Sequence, residues 1–282
     1  MSRDIYEEIV SLRARGTRAA LATIIAHEGA APRKDAVKML VNEDGDQIGN
    51  VGGGLVEADV VRRAKEVMDT GKPKLLSFDL SGIDHDERAL VCGGSMQIYI
   101  DPVLPDPELV VFGAGHVAKA VAEAAAPVGF RVTVLDDRAK YATPERFPGA
   151  KVILVKDSEN WKTELDGLNL TNSSYIFVAT QRPKTDRACL RRALLSSARY
   201  IGMLGSLTKT KILLDALQKE GVDSAQFPRI FIPAGLDIGS ETPEEIAASI
   251  LPELIAARKN LNVKRLRDAV HEVKCYPQTR ME

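Results

Sequence analysis

Two rhythms of apolar and polar positions run along this chain, and one replaces the other near residue 102. Residues 2–14 mix charges into a helical pattern, and an apolar run, Ala19-Ala20-Leu21-Ala22-Thr23-Ile24-Ile25, follows. Val37 to Val41 and Gln47-Ile48 read as a strand pair joined by a turn at Asp44-Gly45. Gly52-Gly53-Gly54 opens a helix predicted over roughly 55–69 and closed by Gly71. Two more strands are predicted near 74–78 and 96–100, the second alternating Met96, Ile98 and Ile100 against Gln97 and Tyr99. Residues 1–101 therefore predict a small N-terminal α+β domain.

The segment from Asp101 to Pro107 holds three prolines, which continue neither a helix nor a central strand, so 102–108 is the predicted linker. Beyond it Leu109-Val110-Val111-Phe112 is apolar without a break, and a glycine turn and an alanine-rich helix to about 126 follow. Arg131 to Leu135 repeats the strand signal. The runs 152–155, 175–178, 200–203 and 229–232 then alternate with helical stretches. Strands apolar on both faces and alternating with helices build a parallel sheet covered on both sides. The fold class is thus α/β, with a Rossmann-like doubly wound parallel-sheet domain over 109–282. Thr242-Pro243-Glu244-Glu245 carries an N-cap, a proline at the first helical position and a capping-box acid, so a long helix should start there and kink at Pro252.

A chain of 282 residues and 30.7 kDa has room for two cores. Its 38 Lys+Arg against 39 Asp+Glu provide no general basic field for nucleic acid or an anionic membrane, and 5% aromatics argue against a stacking platform for single strands. The first residues lack the apolar stretch of a signal peptide, and no run of about 18 apolar residues occurs, so a cytoplasmic protein is expected. Cys92, Cys189 and Cys275 are too few and too scattered for a disulfide framework or a CxxC zinc site.

The chemistry concentrates in a few motifs. Gly113-Ala114-Gly115-His116-Val117-Ala118 is a GxGxxA turn between a strand and a helix, where glycines let backbone approach a phosphate; the alternative is that small residues serve only helix–strand packing. Asp136, 23 positions after Gly113, stands where a dinucleotide fold places its ribose-binding acid, with Arg138 beside it. His116 falls in the first helical turn, as a ligand contact or as a polar helix-start residue. Gly52-Gly53-Gly54 offers backbone N–H groups to an anion, and Glu57 either meets a ligand or stabilises the helix start. Cys92-Gly93-Gly94 sets a thiol beside two glycines, reactive or simply buried, whereas Cys189 reads as core. Arg33-Lys34 and Lys38 either bracket an acidic-ligand face or are only a solvated charged loop. The basic run Arg182, Lys184, Arg187, Arg191, Arg192 is either a phosphate or partner surface or a solvated helix face. Gly205-Ser206 follows a strand, so that Ser206 caps the next helix or holds a phosphate. No HExxH, GxSxG or P-loop occurs, and no catalytic residue is assigned.

Taken in order, these blocks resemble one family, the xanthine dehydrogenase accessory factors and the related CoxI-type maturation proteins, over nearly the whole chain. The N-terminal part resembles it through Ala31-Pro32-Arg33, Lys38-Met39-Leu40-Val41, Gly52-Gly53-Gly54 with Glu57, and Cys92-Gly93-Gly94. The C-terminal part does so through Phe112 to Ala118, Asp136-Asp137-Arg138, Tyr200 to Ser206, Pro233-Ala234-Gly235-Leu236-Asp237-Ile238-Gly239, and Thr242 to Ala247. The resemblance implies a cytosolic chaperone that binds molybdenum cofactor, as molybdopterin or its dinucleotide form, and protects it while a terminal ligand is exchanged for sulfur. It also implies delivery to a xanthine dehydrogenase-like molybdenum hydroxylase, with a cysteine desulfurase as candidate sulfur donor and a homodimer as the expected assembly. On this footing the cofactor-binding residues are Arg33, Gly52, Gly53, Gly54, Glu57, Cys92, Gly93, Gly94, Gly113, Gly115, His116, Asp136, Arg138, Gly205, Ser206 and Lys209. Cys92 becomes a candidate molybdenum ligand, since a thiolate is soft, and the glycine turns would cradle the cofactor between the domains. This chain has Gln181-Arg182-Pro183-Lys184 where the family often shows histidines, and Leu207 where it tends to be basic, with Lys209 nearby. Two other readings are an NAD(P)-dependent oxidoreductase and a nucleotide-sensing regulatory module.

Overall fold

The computed structural model describes residues 4–29, 37–79, 94–157 and 161–263. Arg33, Cys92, Gly93 and Cys275 lie outside the described residues, as do the side chains of Leu207 and Lys209.

Helix α1 (Ile5–Arg15) starts on the Asp4 side chain, which accepts the Tyr6 N–H, and ends at Gly16 in the left-handed region. Strands β1 (Ala19–Gly29), β2 (Lys38–Asn42) and β3 (Gln47–Gly49) lead into helix α2 (Gly54–Thr70), and β4 (Lys74–Asp79) and β5 (Gly94–Val103) complete an antiparallel sheet ordered β3-β2-β1-β5-β4. Val56, Val60, Ala64 and Val67 form the apolar stripe of α2 and pack on Ala20, Ala22, Met39, Val41, Ile98 and Ile100. Leu40, between Met39 and Val41, points to the other face and meets Leu12 of α1, as strand alternation requires.

The predicted linker is shorter than expected. Pro102 pairs with Ala20 inside β5, because β4 pairs with β5 only from Ser95 to Ile100, and beyond that point β5 has a free edge that tolerates a missing N–H. Only 104–107 connect the two sheets.

The second sheet is parallel: β6 (Glu108–Phe112), β7 (Arg131–Asp136), β8 (Lys151–Leu154), β9 (Ser174–Val178), β10 (Tyr200–Met203) and β11 (Ile230–Phe231), ordered β11-β10-β9-β6-β7-β8. Counted from β8, this is the 3-2-1-4-5-6 arrangement, with its topological switch between β6 and β9. Neighbours along each strand are buried on opposite faces. Leu109, Val111, Val134, Tyr175 and Phe177 pack under α3 (His116–Ala125) and α7 (Pro243–Arg258). Val110, Phe112, Leu135, Ile176 and Val178 pack on the other face, with the short α4 (Lys162–Asp166), α5 (Pro183–Leu194) and α6 (Leu207–Lys219). Among the described residues no helix is long and apolar enough to cross a membrane.

The domains meet at the N-terminal edge of the parallel sheet. Asn169 donates to the Arg15 carbonyl at 3.0 Å, Arg13 pairs with Asp106 at 2.7 Å, and the Asn172 amide reaches Glu43, which also holds Arg18. Among the described residues the C-terminal edge is thereby left open.

Helix α7 begins with the expected reciprocal cap between Thr242 and Glu245 and runs as one helix through Pro252. Its Glu253 accepts the Tyr200 hydroxyl at 2.7 Å and the Gly235 N–H at 2.9 Å on one oxygen, so helix, β10 and the 233–239 loop converge on one carboxylate. Burial, then the Glu253 charge, push the Tyr200 hydroxyl well above its ordinary pKa and keep it a donor. Glu253→Ala is therefore expected to lower stability by about 1–3 kcal/mol, and Tyr200→Phe by about 1 kcal/mol, in urea unfolding at pH 7. A Glu253→Ala midpoint equal to that of the wild type would contradict this.

Candidate functional site

The open edge of the parallel sheet is built around the turn after β6. Gly113 has φ 109°, and a Cβ there would stand 2.2 Å from the Ala179 carbonyl oxygen, so only glycine fits. Its N–H donates to Leu135 O at 2.7 Å while Ala179 N–H donates to Phe112 O at 2.8 Å, which pins the turn from both flanking strands. Gly115 is the N-cap of α3 and supplies no side-chain cap, so the first turn at the exposed His116 keeps N–H groups for an anion.

Asp136 does not stand ready for a ribose. It is 2% exposed, and its Oδ2 accepts the Ala114 N–H at 2.6 Å and Arg138 Nη2 at 2.7 Å. Its Oδ1 accepts the Arg138 N–H at 2.8 Å and Nε at 2.9 Å. Burial pushes the carboxyl up, but the hydrogen bonds from Arg138 and Ala114 outweigh it and hold the group below the usual carboxylate range. The Asp136 hydrogen bonds in turn raise the Arg138 pKa. The expected ribose acid is thus an internal strut, because a carboxylate at this depth requires a cation and N–H donors.

Cations face outward instead. Arg138 Cζ lies 4.3 Å from the Tyr141 ring centroid, Arg146 Cζ 5.1 Å and Lys140 Nζ 5.0 Å. Arg146 Nη2 reaches the Ala114 carbonyl at 3.4 Å, while its buried Nε has no hydrogen-bond partner among the described residues. Sequence reading missed Tyr141 and Arg146; the available signal was three cations around one aromatic within ten positions of the β7 end.

Other predicted residues fall on the same edge. Leu204 N–H donates to Val178 O at 2.9 Å, which sets Gly205 and the exposed Ser206 beside the end of β9, where Ser206 O accepts the Thr210 N–H at the start of α6. The basic run is divided among separate tasks. Arg182 pairs with Asp137 and, since β6 lies between β9 and β7, spans the mouth above the glycine turn. Arg187 meets Glu220 at 2.8 Å, and Arg192 donates to the Leu165 and Leu168 carbonyls, so these two tie elements together.

The N-terminal motif stands apart. Gly52, Gly53 and Gly54 have φ 126°, 81° and 63°, and Glu57 accepts the Val51 N–H at 3.3 Å, which stabilises the loop into α2. Leu55 beside them is 80% exposed. The last turn of α2 faces the domain seam, where Arg18 bonds the Met68 carbonyl and Asp69. Seventeen residues of helix put Gly54 about 25 Å from that end. Gly113 is likewise at the end of β6 remote from the seam. Gly94 opens β5, paired with Gly29. Cys189 is core, its thiol pushed well up by burial and then by Asp186. Among the described residues no three His, Cys, Asp or Glu side chains converge as a metal site.

Residues 109–254 match the description "XdhC Rossmann domain" and residues 12–79 match "XdhC and CoxI family". "Uncharacterized protein YqeB" of Escherichia coli (strain K12) is 32% identical over 257 residues, 91% of this chain. The chain spans 47% of that relative's length. A probable xanthine dehydrogenase subunit from Bacillus subtilis (strain 168) is 26% identical, covering 87% of this chain and 94% of its own. "Molybdenum cofactor insertion chaperone PaoD" of Escherichia coli (strain K12) is 26% identical, covering 91% and 88%.

A carboxyl held below its unfolded pKa of about 3.9 stabilises the fold above that pH, and the contribution disappears as pH falls through the folded value. Asp136→Asn is expected to cost about 2–3 kcal/mol at pH 7 in urea unfolding, with the difference from wild type shrinking below about pH 4. A cost independent of pH would show that the carboxylate charge is not what holds the turn.

Proposed function

The chain belongs to the XdhC and CoxI family, and from that premise we propose that it is a maturation protein which binds molybdenum cofactor as cargo and passes it to a xanthine dehydrogenase-like hydroxylase. The relation to an insertion chaperone and to a probable xanthine dehydrogenase subunit supports the reading. The observation that carries it is the cationic face of the β6 turn. A phosphate of the cofactor fits the N–H groups at His116 and the guanidinium of Arg146, whose buried Nε is otherwise unpartnered.

In this account the β6 turn, Arg138 and Arg146 hold the phosphate end. His116, Gly205 and Ser206 line the same edge around the rest of the ligand, and Lys209 belongs to the helix that starts there. Arg182 and Asp137 are drawn apart to admit it. Cys92, with Gly93 and Gly94, is the soft ligand offered to molybdenum while its terminal ligand is exchanged for sulfur supplied by a cysteine desulfurase. Arg33, Gly52, Gly53, Gly54 and Glu57 present a second anion-binding turn. A homodimer is the assembly of this reading, since closed two-fold oligomers are the commonest.

An NAD(P)-dependent oxidoreductase is the second reading, favoured by the strand order and the glycine turn. It is weakened by the closure of Asp136, which removes the usual ribose acceptor.

The test is molybdenum and pterin content after anaerobic incubation of the full chain with molybdenum cofactor and desalting. The folded wild type is expected to retain both in equal amounts, and Cys92→Ala to lose most of the molybdenum. Retention by both proteins would leave the chaperone and remove the thiol from the site. A folded wild type that retains neither would overturn the reading.

A further inference from the structure

Three features of the β7 end bear on what the parallel-sheet domain recognises. First, the one carboxylate that would accept a ribose diol is closed. All four of its hydrogen bonds come from Ala114 and Arg138, and it is 2% exposed. Second, the Arg138 fork that closes it uses Nε and Nη2, so Nη1 has no hydrogen bond among the described residues. Third, Arg146 lies against the other side of the same small neighbourhood, touching the Ala114 carbonyl and the Tyr141 ring, with a buried Nε that has no partner among the described residues. A buried guanidinium nitrogen without an acceptor is costly, and an oxyanion is the group that removes the cost.

The geometry points to a phosphomonoester subsite at the end of β7: Arg138 and Arg146, gathered on Tyr141 beside the glycine turn, receive a terminal phosphate, and ligands that offer a free ribose diol there are rejected. The inference rests on the β6 turn being a ligand site, and it deepens the cofactor reading by naming the group that is read. An arginine after the second strand of such a fold is the element that accommodates a 2′-phosphate, whereas a free acid takes the diol. Here the acid serves to orient the arginine. Two planar guanidiniums suit a phosphate better than one, because each offers parallel N–H donors to different oxygens. Tyr141 keeps the two cations close together despite their repulsion, through its ring face. The phosphate has two chemical sources, the terminal phosphate of the pterin and the 2′-phosphate of a nucleotide.

The experiment compares paired probes on the full chain by calorimetry at fixed ionic strength. One pair is 2′-phospho-ADP-ribose and ADP-ribose; the other is the fluorescent oxidised pterin of molybdenum cofactor before and after phosphatase treatment. The phosphorylated member of at least one pair is expected to bind about tenfold or more tightly, and the pair that shows it identifies the source. Arg146→Ala breaks no ion pair in the described structure, so it should fold and should reduce the preference to about twofold or less. Arg138→Ala should lose the preference and, by exposing Asp136, strengthen ADP-ribose binding relative to wild type. Equal binding within both pairs, binding of neither pair, or an undiminished preference in Arg146→Ala would overturn the subsite. Cofactor retention without phosphate discrimination would sink this inference alone. A nucleotide preference without cofactor retention would sink the chaperone reading alone.

Discussion

At the end of β7 the Asp136 carboxylate holds three things at once: the turn after β6 through the Ala114 N–H, the chain entering the 137–150 segment through the Arg138 N–H, and the Arg138 guanidinium. A carboxylate so deeply buried is tolerable only when every lone pair is directed at a donor, so the three partners are not independent. The turn cannot drift from β7 without stranding the charge, and Arg138 cannot swing outward without doing the same. Gly113 enforces this from the other side, since its contact with the Ala179 carbonyl leaves no room for a side chain. A ligand at this edge therefore meets a preset surface of N–H groups and guanidiniums, which requires little ordering when an anion binds.

That surface exists because of how the layers are arranged. Strands apolar on both faces place α3 and α7 on one side of the parallel sheet and α5 and α6 on the other, so the strand ends are the exposed edges. The small domain occupies the N-terminal edge through Arg13, Arg15 and Glu43 and, among the described residues, leaves the C-terminal edge uncovered. The same packing directs the α2 glycine turn away from the seam.

Much of this was legible in the sequence. Uninterrupted apolar runs separated by helical stretches specify a parallel sheet, and the glycines at Gly71 and Gly113 mark ends that no other residue serves well. The Thr242 cap was readable because both halves of the reciprocal bond are local. What escaped were effects of strand partners and of pairings across the fold. Pro102 sits within a strand only because β4 ends before it. Asp136 looks like a ribose acid by position, but whether it faces a ligand depends on a neighbour two residues on turning back to it. The basic run after β9 reads as one surface, yet Arg182, Arg187 and Arg192 take partners from three different segments. Tyr141 and Arg146 lie in irregular chain, where periodicity carries no information.

The most direct test of the central claim is hydrogen–deuterium exchange of the full chain, with and without molybdenum cofactor, under anaerobic conditions. The account predicts that the cofactor slows exchange at the β6 turn and first turn of α3, residues 113–118, and over the arginine-bearing segment, residues 137–146. Cofactor that binds while both segments exchange as in the free protein would contradict it, and would place the cargo elsewhere on the chain.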